Sequence, residues 1–526
     1  MTTDSILIVG TGFAGLGMAI RLKQAGIEDF TLLEQAAEIG GTWRDNHYPG
    51  AACDVQSHLY SFSFAPNPGW TREFAPQGEI LAYLLQTADR YGIRPHIRFN
   101  TRVTSAEHDE ASGTWTVRTE AGETLRARVL VACTGGLSRP AQPDIPGIES
   151  FRGARFHTAR WDHAEPLEGK NVAVVGTGAS AIQVIPAIAP RVKRLRVFQR
   201  TAPWIMPKPD RPIGSRMRRL FKRVPFAQKL ARGFIYAQRE ALAMGFVVEP
   251  RLLKIAEGLA RKNLDASVAD PVLRAKLRPD YRLGCKRVLP TNDYYPAIQR
   301  PNVDLVTSGI EEVRAHSIVT KDGQEHPVDV LVLATGFEAA EAQAPFEIHG
   351  KGGRDLGTTW GLEGAEAYLG TTIAGFPNLF LIIGPNTGLG HSSIILMIEA
   401  QVAYILSAIQ TMRARRLKSV DVRASVQNAY NVRLRERLAR TVWASGCKSW
   451  YQTRSGKNTT LWPGFTFEFR YRTRRFRPGE YDLVPLGSPE SSRRRPRNGG
   501  NPAVILNEVK GAPTGPWGSF ATLRSR

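Results

Sequence analysis

Two glycine-rich turns constrain this chain more than any other feature. Gly10-Thr11-Gly12-Phe13-Ala14-Gly15 comes directly after the apolar run Ser5-Ile6-Leu7-Ile8-Val9. Gly176-Thr177-Gly178-Ala179-Ser180-Ala181 comes directly after Asn171-Val172-Ala173-Val174-Val175. Each reads as a strand, a tight turn and the start of a helix. In that setting the glycines let backbone approach a pyrophosphate, and the unpaired N–H groups of the helix start point at it. The fold class this predicts is α/β, with two Rossmann-like dinucleotide-binding domains. Two such turns imply two dinucleotides, held so that electrons can pass between them.

The residue that closes the next strand separates the two ligands. Glu34 closes the run Phe30-Thr31-Leu32-Leu33, 19 residues past Gly15. Arg200 closes the run Leu195-Arg196-Val197-Phe198-Gln199, 19 residues past Ala181. A carboxylate at that offset accepts hydrogen bonds from a ribose diol and repels a 2′-phosphate. A guanidinium there grips a 2′-phosphate with its planar fork. The reading is FAD at the first turn and NADPH at the second.

At 526 residues the chain is too long for one core. Its four cysteines, Cys53, Cys133, Cys285 and Cys447, are widely spaced and include no CxxC. Neither a zinc site nor a dithiol redox pair is expected from that spacing, which argues against a disulfide reductase. The first strand begins within a few residues of Met1, so no leader is expected. No apolar run reaches the length of a membrane span, and 233–248 comes nearest. The expected compartment is the cytoplasm.

The net charge of +22 is unevenly placed. Residues 207–290 hold 20 Lys and Arg against 7 Asp and Glu. The end of the chain carries Arg493-Arg494-Arg495-Pro496-Arg497 in a low-complexity setting and reads as a disordered basic tail. Such segments suit a weak contact with a membrane surface. No nucleic-acid module accompanies them, so nucleic acid is not an expected partner.

Along the chain, 1–140 reads as the first part of the FAD domain, ending in a strand and a Thr-Gly turn over 127–136. Pro140, Pro143 and Pro146 mark a linker. The first part of the NADP domain spans 150–207, and a helical, basic insertion spans 208–285. The second part of the NADP domain spans 286–345, where 328–336 mirrors the strand and Thr-Gly turn at 127–136. The FAD domain closes over 370–485, with a buried strand near 378–385. A helix after His391 carries Ile394, Ile395, Ile398 and Val402 on one face. The tail is 486–526.

Between the two turns lies Phe151-Arg152-Gly153-Ala154-Arg155-Phe156-His157-Thr158-Ala159-Arg160-Trp161-Asp162. It fits FxGxxxHxxxW(P/D) and resembles the fingerprint of the type I Baeyer–Villiger monooxygenases, carried here by Phe151, Gly153, His157, Trp161 and Asp162. The related flavin-containing N- and S-oxygenating enzymes usually carry Tyr or Phe at the position of Trp161. A second stretch, 40–54, is similar to the family loop that wraps the flavin, and includes Gly41, Thr42, Trp43 and Asp54. The resemblance places Asp54 near the flavin ring. A third, 284–295, resembles the segment with the active-site arginine, which maps onto Arg287, and Lys286 maps onto a residue that helps bind the NADPH phosphate. Val55, Tyr60 and Val103 join the expected FAD contacts, and Thr201 joins those of NADPH. Two later stretches, 384–393 and 458–464, also look familial. The resemblance covers roughly 5–485.

The resemblance implies a flavoprotein that uses NADPH and O2 to convert ketones to esters or lactones through a C4a-peroxyflavin. Arg287 would stabilise the negative oxygen and Asp54 would position Arg287. Two other readings stay open on sequence: an N- or S-oxygenating flavin monooxygenase, and an NADPH oxidase or reductase.

Overall fold

The computed structural model describes residues 5–338 and 344–487. The basic tail predicted from 486 onward lies, past Gly487, outside the described residues. Strands form where β-branched and aliphatic residues run together between polar turns. Ile6–Val9 and Asn171–Val175 are such runs, and each sits at the middle of a five-stranded parallel sheet. The first sheet has the order Leu379–Leu381, Val129–Ala132, Ile6–Val9, Phe30–Leu33, Ile97–Arg98. The second has the order Ala154–His157, Val330–Leu333, Asn171–Val175, Arg194–Phe198, Val303–Val306.

The two sheets share one plan. In each, the strand that leads to the charged residue flanks the central strand on one side. The strand before the Thr-Gly turn flanks it on the other. Each half also inserts antiparallel strands before that last strand. In the first half these are Val103–Asp109, Thr114–Thr119 and Thr124–Ala127, with Glu347–His349 added in parallel at the edge. In the second half they are Ile310–Arg314, Ser317–Thr320 and Glu325–Pro327. The region 346–369, unassigned from sequence, therefore adds to the first half.

Several boundaries differ from the sequence reading for local reasons. The run expected as one strand over 127–133 divides at Arg128, where the chain passes from the antiparallel sheet to the parallel one. Arg128 is buried and its Nη1 donates to the Leu417 carbonyl. The expected helix after His391 is Ile394–Ala414, capped by Ser393, whose hydroxyl accepts from the Ile395 N–H. Among the described residues this helix, and not 233–248, is long and apolar enough to span a membrane. Here it packs on the helix Phe13–Gln24 and buries Ile398, Val402 and Ile405 in the core of the first half. The insertion consists of helices Ser215–Arg223, Pro225–Val247, Leu253–Ser267 and Pro271–Lys276.

Two kinds of glycine hold the turns. A Cβ on Gly15 would lie 1.9 Å from the Gly10 carbonyl oxygen, and one on Gly153 would lie 2.3 Å from the Asp329 carbonyl oxygen. Protein packing itself forbids a side chain at both. A Cβ on Gly178 would meet nothing within 4 Å, so protein packing does not require a glycine there. Gly153→Ala is expected to lower folding stability by about 1–3 kcal/mol, read as a fall in melting temperature. Gly178→Ala should leave the melting temperature in place and raise the KM for NADPH.

Candidate active site

The first turn is built tightly. Gly10 has φ +103°, and a Cβ there would lie 2.7 Å from the Cys133 carbonyl oxygen. Phe13, Ala14 and Gly15 start the helix and are buried. Gly41 has φ +50° and packs its Cα side against Gly12, which brings the one-turn helix Thr42–Asp45 over the turn. Trp43 donates its indole N–H to the Tyr60 hydroxyl at 3.1 Å, and Tyr60 meets the Phe13 ring edge-on. Val55 and Val103 are buried. Glu34 is buried and engaged by the protein itself. It accepts from the Thr11 N–H at 3.0 Å and the Thr11 hydroxyl at 2.6 Å, and it pairs with Arg44 at 3.0 Å. Its carboxylate thus stands at the turn, where a ribose diol would have to reach it.

The second turn resembles the first in strain and differs in charge. Gly176 has φ +115°, and the Thr177 hydroxyl donates to the Thr201 carbonyl at 2.9 Å. Ala179 and Ser180 form the turn before the helix Ala181–Ile188. Arg200 lies just past its strand and is exposed. Lys286 comes close to it from a segment 86 residues further on. Partial burial, with the Arg200 charge behind it, pulls the Lys286 ammonium below its ordinary value, while the Tyr281 ring faces it at 4.6 Å. Two converging cations beside a glycine turn fit the 2′-phosphate of NADPH.

The two turns are joined by one side chain. The Tyr48 hydroxyl donates to Gln183 Oε1 at 2.9 Å, and Gln183 Nε2 donates to the Ala52 carbonyl at 3.0 Å. Gln183 lies on the helix that opens the second turn, and Tyr48 and Ala52 lie on the loop that covers the first. Gly50, at φ +83°, is needed between them, since a Cβ would lie 2.5 Å from the Gln183 carbonyl oxygen.

That loop ends at Asp54, and Asp54 meets Arg287. Arg287 Nε donates to Oδ2 at 2.7 Å and Nη2 donates to Oδ1 at 2.8 Å, a bidentate pair across 233 residues of chain. Both side chains are about a quarter exposed, at 27% and 23%. Burial works against the Asp54 charge, but Arg287, with Arg239 and Lys208 behind it, outweighs burial and holds the carboxyl below its usual range. The Asp54 charge in turn raises the Arg287 guanidinium against the cost of burial.

Arg239, on the inserted helix Pro225–Val247, donates to Gln56 Oε1 at 2.6 Å. The His391 imidazole is buried with both ring nitrogens unpartnered, and burial, aided by Arg239, pushes its pKa down to about 4. It is therefore neutral. Ser392 Oγ and Trp443 Nε1 are likewise buried and unpartnered. Buried polar atoms of this kind are normally satisfied by something, and here a bound ligand is the natural partner.

The fingerprint residues hold the halves in register. His157 ends its strand, accepts from the Ala159 N–H at 3.0 Å and meets the Phe337 ring at 5.8 Å. Phe337 forms an isolated bridge with Pro140 of the linker. Trp161 is buried in the same core as Tyr48. Phe151 packs on a neighbouring core, and Asp162 accepts from the Ala164 N–H in a local turn. None of these contacts is with Asp54 or Arg287.

Sequence reasoning missed the cysteine pair. Cys285 and Cys447 form a disulfide with Cα atoms 6.2 Å apart, 162 residues distant in sequence. The sequence reading excludes a local dithiol redox pair and does not address a long-range bond, because widely spaced cysteines give no local signal. The bond ties the residue two before Arg287 to the segment that carries Trp443 and the buried Tyr451, which lies beside Arg287. Cys53 and Cys133 are buried thiols.

The chain is similar to known proteins over most of its length. The family described as pyridine nucleotide-disulphide oxidoreductase matches residues 7–224. A Baeyer-Villiger monooxygenase of Pseudomonas aeruginosa is 48% identical over 498 residues, covering 94% of each chain. A Baeyer-Villiger monooxygenase of Streptomyces coelicolor is 49% identical over 481 residues, covering 91% of this chain and 92% of the relative. The chain belongs to the type I Baeyer–Villiger monooxygenases. A crystal structure of OTEMO in complex with FAD and NADP superposes with a TM-score of 0.83 at 29% identity, over 91% of this chain and 99% of that one. Membership in this family fits the absence of CxxC and the opposite charges that mark the two turns.

Two outcomes are expected. Asp54 is ionised in the fold at lower pH than in the unfolded chain, so the pair's contribution is complete above the usual carboxylate value of about 3.9 and is lost only as pH falls through the depressed one. The fraction of NADPH that yields product should therefore show no titration of this pair between about pH 5 and about pH 9. Cys447→Ser should lower product formed per NADPH while leaving the anaerobic flavin reduction rate unchanged. Treatment of the native protein with a thiol reductant should have the same effect.

Proposed function

We propose that this Baeyer–Villiger monooxygenase uses NADPH and O2 to convert ketones to esters or lactones, with Arg287 as the cation at the reacting oxygen and Asp54 as its positioning residue. One oxygen atom of O2 enters between the carbonyl carbon and its neighbour. The other leaves as water, with the two electrons of NADPH and a proton. When bound, NADPH supplies the hydride, and FAD supplies the ring that carries the electrons and activates O2.

The observation that carries the reading is the bidentate Asp54–Arg287 pair at the end of the loop that covers the first turn. Two of the three guanidinium nitrogens are held by Asp54. The third, Nη1, makes a long contact of 3.5 Å to the Leu389 carbonyl, so its hydrogens remain available to an oxygen that gains negative charge. A guanidinium stays charged at any working pH and does not give up its proton. It therefore stabilises oxygen anions without quenching them, both on the attacking oxygen and on the former carbonyl. The neutral His391, which lies near Arg239, adds no competing charge. Lys286 and Arg200 hold NADPH through its phosphate, and Gln183 keeps that coenzyme's turn against the flavin loop. Packing of Trp43 and Tyr60 over the first turn helps to exclude water, which protects the oxygen-activating step from hydrolytic side reactions.

Arg287→Ala is the test. Flavin reduction by NADPH should persist at close to the native rate. Ester formation from ketones should fall by a factor of about 100 or more, with the consumed NADPH recovered as H2O2. Ester yield equal to that of the native enzyme would remove Arg287 from the chemistry.

A further inference from the structure

The helix Pro225–Val247 turns several of its polar residues toward the protein. Gln228 Nε2 donates to the Asn67 carbonyl at 2.7 Å, Arg232 Nη1 to the His58 carbonyl at 2.6 Å, and Arg239 Nη2 to Gln56 at 2.6 Å. Glu240 is buried and accepts from the Thr466 N–H and hydroxyl. A stripe of its apolar residues faces solvent, although Ala243 and Phe246 are buried. Phe226 is 66% exposed, Leu230 58% and Phe234 65%. These positions recur at helical spacing and continue through Ala237, Ala241, Met244 and Val248, which keeps them on one stripe of the helix. At 1.5 Å per residue the stripe runs for about 33 Å.

The neighbouring helices extend it. Met217 and Leu220 on Ser215–Arg223 are exposed, as are Ile255 and Leu259 on Leu253–Ser267. Among the described residues, 12 of the 20 exposed large apolar side chains fall within 217–259. Isolated exposed apolar residues need no explanation, but a contiguous field of them marks a covered surface. The field is also strongly basic. Lys222, Arg223 and Lys229 border its start, and Arg251 and Lys254 border its end, all exposed. Glu249 is the exposed acidic residue within 215–262.

We infer that this face seats the enzyme on an anionic lipid surface. An apolar stripe flanked by cations is the pattern of a helix that lies in the plane of a membrane. The side chains enter the acyl boundary, and the Lys and Arg heads stay at the phosphates. The cytoplasmic leaflet carries negative surface potential and attracts such cations. A second copy of this chain is the poorer occupant, because two-fold contact through the same patch would set one basic field against another. Two signals are present together, apolar area and positive charge, which is what stable but reversible anchoring requires. The inference does not depend on the reaction assigned to the site.

The test is flotation of the FAD-loaded full-length protein with two vesicle types. One is phosphatidylcholine alone, and the other is equal parts phosphatidylcholine and phosphatidylglycerol. The protein should float with the anionic vesicles and weaken with added salt. The triple variant Phe226→Ser, Leu230→Ser, Phe234→Ser should lose ~tenfold or more in partitioning, while turnover of a water-soluble ketone stays unchanged. Replacing Arg493, Arg494 and Arg495 by Ser separates the tail from the helices and should leave flotation largely intact. Failure to float with anionic vesicles overturns the inference. So does flotation lost with the tail variant and kept in the triple variant. An oligomer in lipid-free sedimentation that dissociates in the triple variant would assign the face to a second copy, and would overturn it equally.

Discussion

The Asp54–Arg287 pair is the contact on which the rest of the site depends. Its carboxylate belongs to the loop laid over the first glycine turn. Its guanidinium belongs to the segment that returns from the helical insertion. A single ion pair with two aligned hydrogen bonds therefore fixes how those two segments meet. The surroundings are cationic, with Arg239 and Lys208 both acting on Asp54. That excess means Asp54 does not neutralise the site. It orients one cation among several and leaves the locale positive, which is what an anionic oxygen requires.

The disulfide and the glutamine bridge serve the same end from other sides. Cys285 anchors the Arg287 segment to the stretch bearing Trp443 and Tyr451. Gln183 anchors the coenzyme turn to the flavin loop. The fingerprint around His157 and Trp161 stiffens the passage between the halves. The chemistry falls to few groups, and most of the recognisable sequence supports their placement.

Sequence and structure agree most where a local rule applies. The glycine turns, the strands before them and the offsets to Glu34 and Arg200 follow from backbone geometry that a short window contains. Asp54 and Arg287 are legible only through family likeness, because one acidic and one basic residue 233 positions apart carry no local mark of pairing. Cys285 and Cys447 show the same limit more sharply. Their spacing gives no sign of a bond, and only the three-dimensional path of the chain brings them together. The insertion is helical and basic, as its sequence indicates, but the outward turn of its apolar stripe is not legible there. Its apolar positions repeat with helical period, as those of a core-facing stripe would, and a sequence does not say which face meets the protein. Glu34 is expected at a ribose, yet its oxygens are taken up by Thr11, Ala36 and Arg44. A buried carboxylate takes the nearest donors, and a sequence offset does not record them.

The Gln183 bridge also sets an energy scale for motion. Three neutral hydrogen bonds, from the Tyr48 hydroxyl and the Ala52 N–H to Gln183 Oε1 and from Gln183 Nε2 to the Ala52 carbonyl, latch the coenzyme turn to the flavin loop. Bonds of that type contribute about 1 kcal/mol each, and they act beside the burial of Tyr48 and Ala51 against the coenzyme half. A coenzyme that must arrive, hand over its electrons and later leave is thus served by a catch that one side chain closes, without unfolding either sheet.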